Sequence, residues 1–272
     1  MAELPDAQVL AGGTDLLVDI NTGIRQARHV ISLREISELA VIEDTGEKIS
    51  IGAACTAEEI ASSPLVQRHF PEIVEMVPLF ASPQVRTRAT VGGNICGAVA
   101  CSDFPVILIA LGAEIELVSQ NGGRMVLLKD FFVGNRKTIR RGDEILIRIM
   151  IPKKRSTSAA CYLKFQRRAS NSLAVASVGA FLDLKDGTCR EARIVLGAVA
   201  PVPLLAEKAS AALRGKCVTE EAINETAGLA REEARPITDV RGTEEFRREL
   251  VYVLTRRAIQ QVVEKIEGKP RA

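Results

Sequence analysis

The chain has 272 residues, 47% hydrophobic and 26% charged, the proportions of an ordinary globular protein long enough for one large domain or two moderate ones. A formal net charge of +2, with 4% aromatic residues and no Trp, removes the electrostatic and base-stacking case for nucleic acid and the case for a membrane surface. The opening MAELPDAQVL lacks a charged-then-apolar leader pattern, and the longest apolar run, Phe104 to Ala113, is about half of the roughly 20 residues a membrane span needs, so a cytoplasmic protein without membrane insertion is expected.

In chain order, Gln8 to Leu10 reads as a short strand stopped by Gly12-Gly13, and Asp15 to Ile20 as a short helix ending near Gly23. His29 to Leu33 is a strand. LAVIED and KISIGAA alternate apolar with polar residues around Thr45-Gly46 and read as a hairpin. Thr56 with Glu59 is a capping box that opens a helix, and Pro64 and Pro71 each open another. Ser102 or Asp103 is a natural N-cap for a helix over 104–112, with Pro105 in its first turn. AEIELVS and RMVLL form a hairpin around Asn121-Gly122-Gly123, and EILIRIMIP is a strand stopped at Pro152.

The polar, small-residue segment 153–160 reads as a boundary between domains 1–155 and 156–272. Beyond it come strands Tyr162 to Arg168, Leu173 to Leu184 and Glu191 to Val199, with a turn at Asp186-Gly187, then helices Pro203 to Leu213, Glu220 to Ala234 and Glu244 to Glu267. Strands followed by helices are the α+β signature.

Absent motifs exclude much. Two histidines without HExxH argue against a zinc hydrolase. No Walker A, GxGxxG or GxSxG sequence occurs. The six cysteines are scattered without a CxxC pair, which fits reduced thiols. Cys96 and Cys101 read as packing residues, because a cluster site needs about four neighbouring thiolates.

Two glycine stretches remain: AGGTDLL at 11–17 and ATVGGNICG at 89–97. A pyrophosphate needs backbone N–H groups with no Cβ in the way, and paired glycines next to a helix start supply them. Asp103 is placed to accept from a ribose hydroxyl. Taken alone, a Gly-Gly pair is more often a turn, Asp103 a cap, Phe80 core, and Lys164 with Arg167-Arg168 a solvated strand edge. These alternatives stay open on the residues alone.

In order, LAGGTDLLVDINTG, FASPQVRTRATVGGNICGAVACSDFPVILIALGAEIEL, EILIRIMIP, YLKFQRR, and LGAVAPVPLLAEKASAALRGK with ARPITDVRGTEEFRRELVYVLTRRA resemble, almost end to end, the FAD-binding (medium) subunit of the molybdenum hydroxylases, the xanthine dehydrogenase family. The resemblance implies a two-lobed FAD-binding domain of the vanillyl-alcohol-oxidase (PCMH) type, followed by an antiparallel sheet plus helices of the CO dehydrogenase flavoprotein C-terminal type.

The resemblance also assigns roles. Val9, Leu10, Ala11, Gly12, Gly13, Thr14, Asp15 and Leu16 would wrap the FAD pyrophosphate from one side. Thr90, Gly92, Gly93 and Asn94 would do so from the other. Gly97 stands where the family often has Ala or Thr, so a side-chain hydroxyl bond is missing there. Asp103 would hold the ribose or adjoining ribityl region, and Phe80, Leu146 and Lys164 would contact the flavin or adenine parts. No catalytic acid–base residue and no metal site is implied on this chain.

FAD would be noncovalent, since neither His29 nor His69 lies in a glycine stretch. Molybdopterin and [2Fe–2S] clusters would sit on a large and a small partner subunit. Electrons would pass from those clusters through FAD to NAD+ or another acceptor, within a hetero-oligomer such as a dimer of heterotrimers. The cysteine-rich insertion that carries an extra [4Fe–4S] cluster in some relatives is absent. Relatives carry about one helix and one strand before the first glycine loop, whereas about ten residues precede it here; a missing edge element and weakened FAD affinity or lone stability are expected. A stand-alone flavin oxidase of the same fold and a scaffold subunit that has lost FAD are the competing functions.

Overall fold

Two features of the sequence dominate the architecture: apolar alternation that builds antiparallel sheets, and one helix that is apolar on every side after its first residue and needs cover all round. The structure is a computed structural model and describes residues 7–168 and 172–268; the leader reading above falls partly on residues 1–6, outside the described residues. The chain forms two compact units, 1–98 with 113–152, and 99–112 with 153–272.

In the first unit, β1 (Gln8–Leu10) pairs in parallel with β2 (Val30–Ser32), and α1 (Leu16–Asn21) lies between them in sequence. β3 (Ile42–Asp44) and β4 (Lys48–Gly52) follow. Then come five short helices: α2 (Ala57–Ser62), α3 (Pro64–His69), α4 (Pro71–Met76), α5 (Pro83–Arg86) and α6 (Val91–Gly97). Helix α7 (Asp103–Ala110) belongs to the second unit. The first unit resumes with β5 (Glu114–Ser119), β6 (Gly122–Leu127), the small β7 (Phe132–Gly134) and β8 (Lys137–Thr138), and β9 (Ile145–Pro152).

Strands β3-β4-β9-β5-β6 form one antiparallel sheet. Its alternation buries Ile49, Ile51, Ile115, Leu117, Ile149 and Ile151, as half-buried strands do. The capping box at Thr56 forms as the sequence predicts: Thr56 Oγ1 accepts from Glu59 N–H at 3.2 Å, and Glu59 Oε2 accepts from Thr56 N–H at 2.8 Å. The strand expected from Leu39 starts later, because Ser37–Ala40 forms a 3-10 turn first.

The second unit is an antiparallel sheet of β10 (Ser158–Gln166), β11 (Ala174–Lys185), β12 (Thr188–Gly197) and β13 (Leu204–Leu205). The turn between β11 and β12 is Asp186-Gly187, both with positive φ (50° and 75°), the backbone a tight hairpin needs. Helices α8 (Glu207–Leu213), α9 (Glu220–Glu233) and α10 (Glu244–Glu267) follow. Pro203 therefore opens no helix. Its successors pair with β12 as β13, with Leu204 opposite Leu196.

β11 is buried along eleven of its twelve residues, so both of its faces are covered. Val178, Ala180 and Leu182 join a core with α8–α10 residues such as Leu213, Val251 and Ile259. On the other face a Cβ at Gly179 would lie 2.8 Å from the Val106 carbonyl oxygen, and one at Gly197 would lie 2.6 Å from a Val106 methyl. Glycine at these two positions lets α7 press on the sheet. Every residue of α7 is buried, as expected of a helix apolar all round beyond its first residue, Asp103.

A linear boundary near 155 places α7 with the first domain; the structure clusters it with the second unit. Ser102, one of the two expected positions, is the N-cap of α7 but makes no side-chain cap bond, and Asp103 is the first residue of the helix, its side chain turned to Lys164 and Tyr162. Among the described residues no helix is long and apolar enough to cross a membrane.

Candidate functional site

The first glycine stretch leaves the parallel pair β1–β2, whose register extends through a bond from Leu33 N–H to the Leu10 carbonyl at 2.9 Å. Val9 and Leu10 are half-buried strand residues. Gly13 takes φ +80°, and a Cβ at Gly12 would fall 2.0 Å from the Arg88 carbonyl oxygen. One glycine thus makes the turn, and the other lets this loop lie against the chain entering the second stretch. Gly13 O then accepts from Leu17 N–H at 3.1 Å and Asp15 O from Asp19 N–H at 2.9 Å, starting α1. Among the described residues, no acceptor takes the backbone N–H groups of Ala11, Gly12, Gly13, Thr14, Asp15 or Leu16. Six consecutive unbonded amides in a largely half-buried loop form the kind of donor array that anions occupy.

The second stretch is a helix rather than a turn. Thr90 caps α6, its hydroxyl accepting from Gly93 N–H at 3.1 Å. Val91 N–H bonds to Cys55 O at 3.0 Å, Gly92 N–H to Ala53 O at 2.9 Å and Asn94 N–H to Thr90 O at 2.9 Å. The first-turn amides are therefore used within the protein. Gly92 is buried where a Cβ would meet Ala53 at 2.7 Å, whereas Gly93 is exposed and its Cβ would meet Thr90 Oγ1 alone, at 2.9 Å. Asn94 Oδ1 is buried without a hydrogen-bond partner among the described residues. Such an orphan acceptor costs roughly 1–3 kcal/mol unless a donor reaches it. Its place beside an exposed glycine fits an exchangeable group that donates there.

The two stretches adjoin. Besides the Gly12–Arg88 approach, a Cβ at Gly97 would lie 3.6 Å from Asp15 Oδ2, so an alanine would fit there. Phe80 is buried, and the following Ala81 takes φ +47°. Arg86 Nη1 holds that corner by bonds to the carbonyls of Pro78, Phe80 and Ala81 at 3.3, 3.2 and 3.3 Å. Leu146 is buried in β9 opposite Leu117. Burial pushes the Cys96 thiol up to about 11, which suits packing rather than thiolate chemistry. Among the described residues no group of three or more His, Cys, Asp or Glu side chains is placed to hold a metal ion.

In the second unit Asp103 and Lys164 form a buried ion pair, Nζ to Oδ1 at 3.0 Å and to Oδ2 at 3.2 Å. The Tyr162 hydroxyl donates to Asp103 Oδ1 as well. The side chains of Asp103 and Lys164 are 6% and 1% exposed. Burial pushes the Asp103 carboxyl up, against the pull of the Lys164 ammonium and the Tyr162 hydroxyl. The Tyr162 hydroxyl is pushed well up by burial and by the neighbouring carboxylate. Both oxygens of Asp103 are thus engaged within this unit.

A family model described as the FAD binding domain in molybdopterin dehydrogenase matches residues 1–154, and one described as the CO dehydrogenase flavoprotein C-terminal domain matches residues 160–262. The chain is an FAD-binding medium subunit of the molybdenum hydroxylase family. It is 32% identical over 254 residues to the carbon monoxide dehydrogenase medium chain of Hydrogenophaga pseudoflava, covering 93% of this chain and 88% of that one. It is 27% identical over 271 residues to the xanthine dehydrogenase FAD-binding subunit of Escherichia coli O157:H7, covering 99% and 93%. A solved carbon monoxide dehydrogenase from Hydrogenophaga pseudoflava, lacking the Mo-pyranopterin moiety of its molybdenum cofactor, superposes with a TM-score of 0.93 at 34% identity, covering 95% of this chain and 90% of that one. Quinoline 2-oxidoreductase from Pseudomonas putida 86 gives 0.90 at 30% identity, covering 98% and 92%.

Membership in this family makes the chain an oxidoreductase flavoprotein subunit of a multi-subunit, molybdopterin-dependent enzyme. The residues present fit FAD. The donor array at 11–16 suits a pyrophosphate, and in the adjoining second stretch Gly93 is exposed and Asn94 Oδ1 lacks a donor. Sequence reasoning missed Tyr162, Arg86 and the Asp19–Arg136 pair described below. Tyr162 lies two residues before Lys164 on one strand, and that same-face spacing was the available signal. Arg86 and Arg136 gave none, because their roles rest on contacts that the linear pattern does not encode.

Proposed function

We propose that this subunit holds FAD noncovalently and serves as the electron outlet of a molybdenum hydroxylase, receiving electrons from [2Fe–2S] centres on a small partner subunit and delivering them to NAD+ or another acceptor. When bound, FAD supplies the conversion between one-electron and two-electron chemistry. The amides of residues 11–16 bind the pyrophosphate, Thr90 keeps the α6 entry in place, and Gly93 leaves the approach clear. Asn94 Oδ1 takes a donor from the dinucleotide. Phe80, Asp103, Leu146 and Lys164 keep the roles that the family resemblance gives them. A molybdopterin-binding large subunit completes the assembly, with a dimer of heterotrimers as its arrangement.

The observation that carries this reading is the run of unbonded amides at 11–16, in a loop that approaches the second stretch at Gly12 and Asp15. The test is purification of the chain with its partner subunits, followed by heat release of flavin and anaerobic addition of NADH. A yellow complex with one releasable FAD per chain, bleached by NADH, supports the proposal. A colourless complex that takes up no FAD on reconstitution overturns it, and an FAD complex that NADH leaves unbleached moves the acceptor away from NAD+.

A further inference from the structure

Outside the two glycine stretches, one residue of the first unit touches the elements that follow both. Arg136 lies at the tip between β7 and β8. Its Nη1 sits 3.3 Å from Asp19 Oδ2 in α1, the helix that continues the first stretch. Its backbone N–H donates to the Ala98 carbonyl at 2.8 Å, at the end of α6, the helix that begins with the second. Asp19 is 7% exposed, and the same Oδ2 also faces Arg25 Nη2 at 3.6 Å.

The backbone marks the same place. Ala98 and Arg136 are two of the three non-glycine residues of this unit with positive φ among the described residues, at 47° and 56°, and the third is Ala81 beside Phe80. A non-glycine residue in the left-handed region is disfavoured and persists where its surroundings over-determine it, often at ligand sites. Here the two left-handed residues are hydrogen-bonded to each other. The side-chain ion pair and the backbone bond together fix how far α1 and the end of α6 stand apart.

We infer that Arg136 is a positioning residue for the dinucleotide, holding the donor loop 11–16 in register with the Gly93–Asn94 edge without touching the ligand itself. This rests on the reading that these two stretches bind the FAD pyrophosphate. The ion pair is charge-assisted, and Asp19 keeps Arg25 Nη2 at 3.6 Å when Arg136 is replaced, so its carboxylate is not left unpaired and the loss should fall on loop placement more than on folding. Half-exposed Arg136 limits its effect to that of a partly screened pair.

The test uses the full chain in its complex, stripped of flavin and titrated with FAD by fluorescence quenching, alongside the melting temperature of the flavin-free protein. Arg136→Met keeps the backbone bond and removes the charge, and should weaken FAD binding about fivefold with the flavin-free melting temperature unchanged. Arg136→Lys should restore most of the affinity. Asp19→Asn should weaken binding similarly, and the double variant should be no worse than either single one, because both remove one interaction. Gly93→Val is the reference. If it abolishes FAD binding while Arg136→Met binds as wild type, the positioning role is overturned and the site reading stands. If Gly93→Val binds normally, the site reading falls and the inference falls with it. Equal loss of affinity in the Lys variant, or additive losses in the double variant, also overturns the positioning role.

Discussion

In the first glycine stretch the N–H groups of residues 11–16 have no acceptor among the described residues, whereas in the second the amides of Val91, Gly92, Gly93 and Asn94 all do. The Gly-Gly pairs look alike in sequence. Yet Gly13 is there for its positive φ, Gly12 and Gly92 for close backbone approach, and Gly93 stands exposed, with only the capping Thr90 hydroxyl near its Cβ position. The stretches are therefore complementary. The first offers main-chain donors, and the second offers a capped helix edge with one exposed glycine and one orphan acceptor. A helix N-terminus is a ready anion site only while its amides are free, and those of α6 are not.

The largest expected effect that probes this contrast is Gly12→Ala. Its Cβ would fall 2.0 Å from the Arg88 carbonyl oxygen, a backbone atom that cannot rotate away, so the two stretches must separate. Overpacking of this kind costs about 1–3 kcal/mol. Both FAD binding and the urea midpoint should drop, and a variant with wild-type midpoint and affinity would show that the loops are not held in contact. Gly93→Val should act mainly on the ligand. Its position is exposed and helical, and valine is no worse a helix former than glycine, but its Cβ would press on the capping Thr90 hydroxyl at 2.9 Å. Fold stability should fall by no more than about 1 kcal/mol, the worth of that cap, while FAD affinity falls by about tenfold or more. Full FAD occupancy in that variant would remove the second stretch from the site.

Much of this contrast was legible in sequence, and part was not. Strand, Gly-Gly and helix start read correctly around β1 and α1, because a short β pattern broken by glycines is a local signal. ATVGGNICG read as a turn because two glycines outweigh a helical run of seven residues by propensity. Its helicity comes from tertiary bonds to Cys55 and Ala53, which no window of sequence contains. The apolar run of α7 from Phe104 on was plain, but which unit would bury it was not, since its cover comes from β10–β12 more than forty residues later. Asp103 illustrates the same limit. Its capping chemistry was sound in isolation, and a buried lysine and tyrosine on β10 claimed it instead.

The smallest expected effect concerns what supports each stretch. Main-chain amides do not titrate, so the donors of the first stretch keep their hydrogen-bonding character in acid. Helix α6 instead rests against β9, and the turn leading into that strand is anchored by Glu144. Its carboxylate takes Arg124 Nε and Nη2 at 2.6 and 2.9 Å and Arg141 N–H at 2.7 Å. The Arg124 guanidinium, with the Arg141 amide, holds the Glu144 carboxyl down to about 2, below its ordinary 4.5. A group whose folded-state pKa is depressed takes up protons more readily when unfolded, so its stabilisation is present above the ordinary value and is lost as pH falls through the folded one. The wild-type melting temperature should therefore carry an acid-dependent component between about pH 4.5 and 2. Glu144→Gln should lack that component, start lower at neutral pH and show a flatter acid limb. Parallel limbs for the two proteins would mean that the turn leading into β9, beneath α6, is not where acid first weakens the flavin domain.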